Sequence, residues 1–297
     1  MNRFVLSCES TVDMPYSYLS ARDIPVAFYS YWVDGREYPD DMLRDPEALP
    51  RFYSFLEDGK LPFTSQLNEY AYTQYFESLS DRGDLLHIAF GSGMTKSVQN
   101  AQRAADALNE ANTDRKIVVI DSLCSSSGYG MLVDYAADLR DNGCEMDEII
   151  SWVMAHRTKI HHQFFSHQLD YYRRSGRISG PAATLATILN ICPIMRLDDE
   201  GKIIAYDKVR GKRAAIRRTI DTMEQHAVGG ASYNGKCFIC HSDCLDEAIM
   251  TRAAVMQRFP DISGDIRIFN IGTIIASHCG PGTVAVFFLG DDRPPMA

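Results

Sequence analysis

The chain has 297 residues, 45% of them hydrophobic and 23% charged, with a formal net charge of −9 and a pI near 5.4. That length and apolar content suit one large or two moderate globular domains, and the negative balance speaks against a non-specific nucleic-acid or anionic-membrane surface, since both need clustered positive charge. There is no run of 18 apolar residues, the first segment is strand-like rather than a signal h-region, and eight scattered cysteines suit reduced buried thiols, so a cytoplasmic location is expected.

Taken in chain order, residues 4–7 read as a short strand. The polar turn Glu9-Ser10-Thr11-Val12-Asp13-Met14-Pro15 follows, and a helix can start at Tyr16. Residues 24–33 read as another strand, Asp34-Gly35 as a turn, 37–50 as an acidic, proline-containing loop and 51–57 as a helix. In Pro62-Phe63-Thr64-Ser65-Gln66 the proline disfavours helix, so Thr64 or Ser65 is expected to open the amphipathic helix 70–79. The apolar run 85–90 ends in Gly91-Ser92-Gly93, after which Val98, Ala101, Ala104, Ala105 and Leu108 recur at helical spacing: strand, tight turn, helix. At such a junction the first backbone N–H groups lack intrahelical partners and the helix dipole is positive, so an anionic group can bind, with Ser92, Thr95 and Ser97 as extra donors. Equally, Ser92 or Thr95 could simply cap the helix. Residues 117–120 form a bare aliphatic strand of the kind buried in parallel sheets, and Asp121-Ser122 with Ser125-Ser126-Ser127-Gly128-Tyr129-Gly130 leads into a helix at 131–140. Four strand-to-polar-turn-to-helix junctions thus line up, and in an open α/β sheet these gather at the carboxyl ends of the strands, where ligands bind.

After a helix at 148–156 capped by Asp147 the pattern changes. Phe164-Phe165, a small-residue apolar segment at 182–191 ending at Cys192-Pro193, and strands at 203–209, 237–240, 266–275 and 284–289 are interspersed with helices at 213–227 and 245–259, the latter stopped by Pro260. The fold class expected is α/β in two domains: 1–159 with a mainly parallel sheet flanked by helices, and 160–297 with a mixed α+β sheet. No internal repeat or low-complexity linker is apparent.

Cys237-Phe-Ile-Cys240-His241-Ser-Asp-Cys244 suggests haem attachment or zinc, but 236–240 reads as a strand that puts Cys237 and Cys240 on opposite faces, and no export signal supports haem. No metal site and no cofactor are therefore expected. Gly91-x-Gly93 and Gly128-x-Gly130 lack the rest of a dinucleotide fingerprint, and there is no Gly-Lys-Ser/Thr phosphate loop. His278, in Ala276-Ser277-His278-Cys279-Gly280-Pro281-Gly282, is expected in a glycine-rich turn after a strand, ordinarily as a structural histidine. Arg173, Arg174, Arg177, Arg210, Arg213, Arg217 and Arg218 make two basic clusters in an acidic chain, and flanking Gly176 and Gly211 favour an anion or acidic-partner site.

Together, Glu9-Ser-Thr-Val-Asp13, Phe63-Thr64-Ser65-Gln66, Gly91-Ser92-Gly93-Met94-Thr95, Asp121-Ser122 through Gly128-Tyr-Gly130, Arg174-Ser175-Gly176-Arg177-Ile178 and Ile274-Ile275-Ala276-Ser277-His278 resemble, in order and over nearly the whole chain, the DegV family of bacterial fatty-acid-binding proteins. The resemblance implies a two-domain α/β carrier that holds one long-chain fatty acid, with the second domain covering the acyl chain, and presents the carboxylate to the catalytic subunit of a fatty acid kinase, which makes the acyl phosphate. It implies head-group binding by Thr64, Ser65, Ser92, Thr95 and His278, with Thr95 standing where a serine is usual. Arg177 and Arg210 match arginines of the partner or phosphate face. Lys96 replaces a usual glycine and Glu9 a usual aspartate, so the head-group pocket is expected to differ in charge or breadth. No nucleic acid and at most transient membrane contact are expected. Burying some 14–16 methylenes at about 0.8 kcal/mol each offers on the order of 11–13 kcal/mol gross, far above one hydrogen-bonded carboxylate, so the tail sets affinity and the head sets orientation.

Two other readings use the same residues. A Ser or Thr with His278 and an acid such as Asp121 could be a hydrolase acting on acyl esters, although no Gly-x-Ser-x-Gly elbow exists. A phosphosugar or other small-anion binder would use the same helix starts but would need no long apolar tunnel.

Overall fold

A computed structural model describes residues 4–111, 114–178, 191–262 and 266–295. The apolar segment at 182–191 lies, but for its last residue, outside the described residues.

The first half alternates as expected. Strand β1 (Phe4–Glu9), helix α1 (Tyr16–Ala21), β2 (Val26–Ala27), β3 (Ser30–Val33), β4 (Arg36–Pro39), α2 (Ala48–Glu57), β5 (Phe63–Ser65), α3 (Glu69–Glu77), β6 (Asp84–Ala89), α4 (Ser97–Ala111), β7 (Ile117–Asp121), α5 (Ser126–Asp141) and α6 (Met146–His156) follow in turn. Strands β2-β1-β6-β7 form a parallel sheet in that order, while β4-β3-β5 form a small antiparallel sheet. The central strands β1 and β6 are almost wholly buried, which is why they read as unbroken apolar runs rather than alternating ones.

The second half carries β8 (Ile160–Ser166), α7 (Asp170–Ser175), β9 (Ile191–Leu197), β10 (Ile203–Arg210), α8 (Lys212–His226), β11 (Cys237–His241), α9 (Leu245–Arg258), β12 (Ile266–Asn270), α10 (Thr273–Cys279) and β13 (Thr283–Leu289). Its sheet has the order β10-β9-β8-β13-β11-β12 and is mixed, since β11 and β12 are parallel and the other pairs antiparallel. Cys237 and Ile239 face the core beneath α8 and α9, whereas Phe238 and Cys240 face the core shared with α5. The period-2 argument that separates the two cysteines therefore holds.

Local expectations depart from the structure in ways that have physical causes. The stretch 24–33 is two strands in two sheets, parted where the Tyr29 N–H leaves the ladder to donate to Ser10 Oγ at 3.1 Å. Helix α2 starts three residues early because Pro50 falls in the first turn, where no N–H is required. Thr64 and Ser65 do not open a helix: they lie in β5, and α3 is capped by Asn68, whose side chain accepts from Ala71 N at 2.9 Å. Helix α6 is capped not by Asp147 but by Glu145, reciprocally with Glu148. Helix α5 begins five residues early, at Ser126. A Cβ at Gly128 would sit 2.4 Å from His162 Nε2 and 2.6 Å from Phe287 Cδ1, so glycine there lets the first turn of α5 press on β8 and β13. This is the use of a glycine that superficially suggested a nucleotide loop.

The stretch 266–275 is not one strand. It ends at Asn270, Gly272 breaks it, and α10 follows, so His278 sits in the last turn of a helix. At the far end the chain folds back: Arg293 is 2% exposed, donating to the carbonyls of Ile160 at 3.2 Å and Leu123 at 2.8 Å. Arg196 in turn donates to the carbonyls of Pro294 and Pro295.

Candidate functional site

The carboxyl edge of the parallel sheet, the small antiparallel sheet and the inner face of the mixed sheet bound a cavity of about 530 Å³. Its body is apolar, with Phe164 on β8, Leu197 on β9, Ile203 on β10, Ile274 on α10 and Ala285 and Phe287 on β13. All but Ile274 are inward-facing residues of the mixed sheet, whose other face packs against α8 and α9. Two thiols, Cys240 and Cys279, also line it and are held protonated, Cys279 being pushed up to about 12 mainly by burial.

Polar lining gathers in two places. In the first, β5 offers Thr64, and Thr64 Oγ1 lies 2.8 Å from His278 Nε2. Burial, with Arg177 adding its charge, pushes His278 down to about 4, so the imidazole is neutral at pH 7. With the ring proton on Nε2, His278 donates to Thr64 and frees the threonine hydroxyl proton to point at a ligand. Ser65, Gln66, Ser92, Thr95 and Lys96 complete this end. Thr95 Oγ1 accepts from Ser97 N at 3.2 Å and donates to Gln66 Oε1 at 3.4 Å, so its oxygen serves the start of α4 while its proton is held by a long bond that a ligand oxygen can replace. Capping and ligand donation are thus compatible in one residue.

In the second place, Ser125, Ser126 and His162 meet. His162 Nε2 accepts from Ser125 N at 3.1 Å and Nδ1 donates to the Ile160 carbonyl at 2.9 Å, and burial holds this ring neutral, far below its usual pKa. Nothing singled out His162 beforehand, although its place beside His161 in a strand means that one of the two must face inward.

The histidine helix is fixed from the first junction of the chain. Asp13 Oδ1 accepts from Gly272 N at 2.9 Å, Asp40 Oδ1 accepts from Thr273 Oγ1 at 3.0 Å, and the Ser126 hydroxyl donates to Asp13 Oδ2. Burial raises both carboxyls, Asp40 to about 6. Glu9 is not on the pocket surface. Wholly buried, it accepts from Tyr72, from Tyr29 at 3.2 Å and from Phe90 N at 3.0 Å, so it acts on the pocket only by holding Tyr29 and Phe90, which are wall residues. Lys96, by contrast, lines the mouth directly.

The two arginines separate. Arg177 belongs to the pocket wall, just beyond α7, close enough to His278 to depress it, whereas Arg210 is exposed at the end of β10 and lines no part of the cavity. Among the described residues no carboxylate pairs with Lys96 or Arg177. The acid that a hydrolase would need is also placed elsewhere: Asp121 Oδ1 accepts from Ser92 N and Leu123 N, both at 3.0 Å, and His278 Nδ1 is buried with no partner among the described residues.

A family model described as "Uncharacterised protein, DegV family" matches residues 4–291. The chain belongs to the DegV family. This DegV-family chain is 34% identical over 297 residues to a DegV domain-containing protein of Clostridium perfringens, covering 99% of itself and all of that protein. Among solved structures it is similar to a fatty-acid-binding DegV family protein from Thermus thermophilus, with a TM-score of 0.85 at 24% identity over 97% of this chain and 99% of the other. It is also similar to the Fatty Acid Kinase (Fak) B3 protein of Streptococcus pneumoniae loaded with linoleic acid, with a TM-score of 0.82 at 18% identity, covering 97% of this chain and all of the other. These likenesses establish the DegV fold for the arrangement of sheets described above.

Proposed function

We propose that this chain binds one long-chain fatty acid, its tail along the apolar walls and its carboxylate at Thr64, Thr95 and His278, with Ser65 and Ser92 at the rim. The observation that carries this reading is the pairing of an apolar cavity with two cations, Lys96 and Arg177, that no carboxylate of the described residues neutralises at the end where the Thr64–His278 pair sits. A buried neutral histidine and hydroxyl donors orient a carboxylate, and the two cations at that end match its charge. Fatty acid binding by structures of the same fold supports the ligand class.

The chain then presents the carboxylate to the catalytic subunit of a fatty acid kinase in the cytoplasm, as a carrier rather than an enzyme, with Arg210 on the face that meets the partner. Arg177, at the mouth, serves the carboxylate and the phosphate that replaces its charge. Residues 1–159 and 160–297 are the two domains of this carrier, a division supported by the two large sheets lying wholly on either side of the boundary. Among the described residues no helix is long and apolar enough to cross a membrane. The hydrolase reading is disfavoured by the position of Asp121, and a small-anion site by the extent of apolar wall.

Native mass spectrometry of the purified chain, followed by organic extraction, tests the ligand. About one acyl chain per protein is expected. Lipid-free protein that also refuses added oleate and palmitate overturns the reading, and a phosphorylated small molecule in its place would establish the small-anion alternative.

A further inference from the structure

On the opposite side of β8 from the pocket, three potential ligands from three elements converge. His161 on β8, His226 at the end of α8 and Asp291 just beyond β13 each offer one donor atom, and the three atoms all lie within 4.8 Å of one another. His161 Nε2 and His226 Nδ1 are each 3.0 Å from Asp291 Oδ1. Tetrahedral zinc with bonds of about 2.0–2.2 Å needs ligand atoms roughly 3.3–3.6 Å apart, so a small spreading of the side chains admits the ion.

The site is built rather than incidental. The His161 ring is sandwiched between Phe288 and His226, centroids 5.0 Å away on both sides, which fixes its orientation. The backbone is drawn in close as well: Asp291 N donates to the His226 carbonyl at 3.0 Å, and a Cβ at Gly290 would fall 2.4 Å from that oxygen and 2.7 Å from His161 Cδ2. Exposure rises across the trio, from 1% for the His161 side chain to 29% for His226 and 60% for Asp291, leaving an entry path and a solvent-side position for a water ligand.

We propose that His161, His226 and Asp291 form a zinc site, with water as fourth ligand, that clamps the end of α8 and the segment after β13 onto β8. Two imidazoles and one carboxylate suit a borderline late first-row ion rather than magnesium or calcium, which favour all-oxygen shells. Without metal, the two ring N–H groups donate to the same carboxylate. On binding, each proton moves to the ring's other nitrogen and both inward nitrogens present lone pairs. Because His162, the next residue on β8, lines the pocket, the clamp stands directly behind the pocket wall.

Chelator-treated full-length protein is titrated with zinc chloride against a chromophoric chelator, alongside His226→Gln and Asp291→Ala, whose side chains are partly exposed and whose folding is checked by circular dichroism. The expected result is one zinc per chain, a raised melting temperature with zinc, and loss of affinity in both variants beyond the roughly 10–100-fold that removing an outer-shell partner costs. Cobalt substitution should give a four-coordinate visible spectrum without thiolate-to-metal charge transfer, a readout on the unaltered protein. No zinc uptake, unchanged affinity in either variant, or a thiolate band from one of the eight cysteines each overturns the proposal.

Discussion

The two sheets meet the cavity in opposite ways. The parallel sheet contributes its carboxyl edge, where the polar residues are largely engaged by the protein itself: Ser126 and Ser127 bind Asp13, Thr95 accepts from the start of α4, and Glu9 is enclosed by tyrosines. The mixed sheet contributes a largely apolar face, interrupted by His162 and Thr283, whose polar atoms are themselves engaged by Ser125, Ile160 and Tyr172. A run of hydroxyls at a helix start is therefore a weak guide to a ligand unless the partners of each hydroxyl are known, whereas the apolar face is free to meet whatever enters. Affinity should reside in the face of the mixed sheet, and orientation at the polar end where Thr64 on β5, His278 on α10 and Thr95 beyond β6 gather.

The strongest way to break that division is to fill the apolar side. Ala285→Phe, on β13, should exclude about four methylenes of the tail, costing roughly 3 kcal/mol or more than a hundredfold in fatty acid affinity while the fold persists. A fluorescent fatty acid titration that finds wild-type affinity would place the tail elsewhere.

Acid tests the polar end next. His278 is held at about 4 in the folded chain against about 6.5 unfolded, so between those values the unfolded chain binds more protons and stability falls as pH drops. By pH 5 this loss amounts to about 2 kcal/mol, and His162, lowered further, adds to it. Asp40, raised to about 6, works in the opposite direction, which is why the comparison should be with His278→Asn rather than with absolute values. The gap between wild type and variant should shift in the variant's favour on going from pH 7 to pH 5. Melting curves that run parallel would mean that the ring is already protonated or solvated.

Thr95→Val should cost about 1 kcal/mol, a fivefold loss of affinity, because one donor goes while Thr64 and the cations stay. A Thr64→Val/Thr95→Val protein with undiminished binding, measured by competition, would put the head group at the wrong end. Smallest of all, Arg210→Ala should leave lipid retention unchanged and reduce acyl phosphate formation a fewfold when kinase and ATP are supplied. That reduction should shrink as salt rises, since exposed charge contacts act over a Debye length of about 8 Å at physiological ionic strength. Loss of lipid without loss of kinase rate would return Arg210 to the pocket.

Much of this was legible in the residues themselves. The parallel core announced itself through bare aliphatic strands, whereas Thr64 and His278, hydrogen-bonded although 214 positions apart, are joined by no local pattern and stand together beforehand only through the family resemblance. What failed failed for local reasons. Three residues of β5 are too few to show a period of two, and the helix that follows takes Asn68, a better cap than Thr64, as its start. β12 and α10 share a continuous apolar composition, and the break between them depends on Gly272 and on distant carboxylates, Asp13 and Asp40, that no window around 266–275 contains. The place of Arg177 at the mouth likewise depends on how α7 packs against α10, a relation of tertiary structure.

Chain ends are usually where a protein tolerates trimming, tagging and sequence drift. The segment after β13 reverses that expectation: the Arg293 guanidinium, four residues past the strand, is interior material, bridging the loop after β7 to the first residue of β8. A stop codon or protease cut just after Gly290 would take the guanidinium from the Leu123 carbonyl, leave the Ile160 carbonyl to His162 alone, and detach the strap that ties both sheets together. Genetic scans should therefore find Arg293 as intolerant as a residue of a core strand.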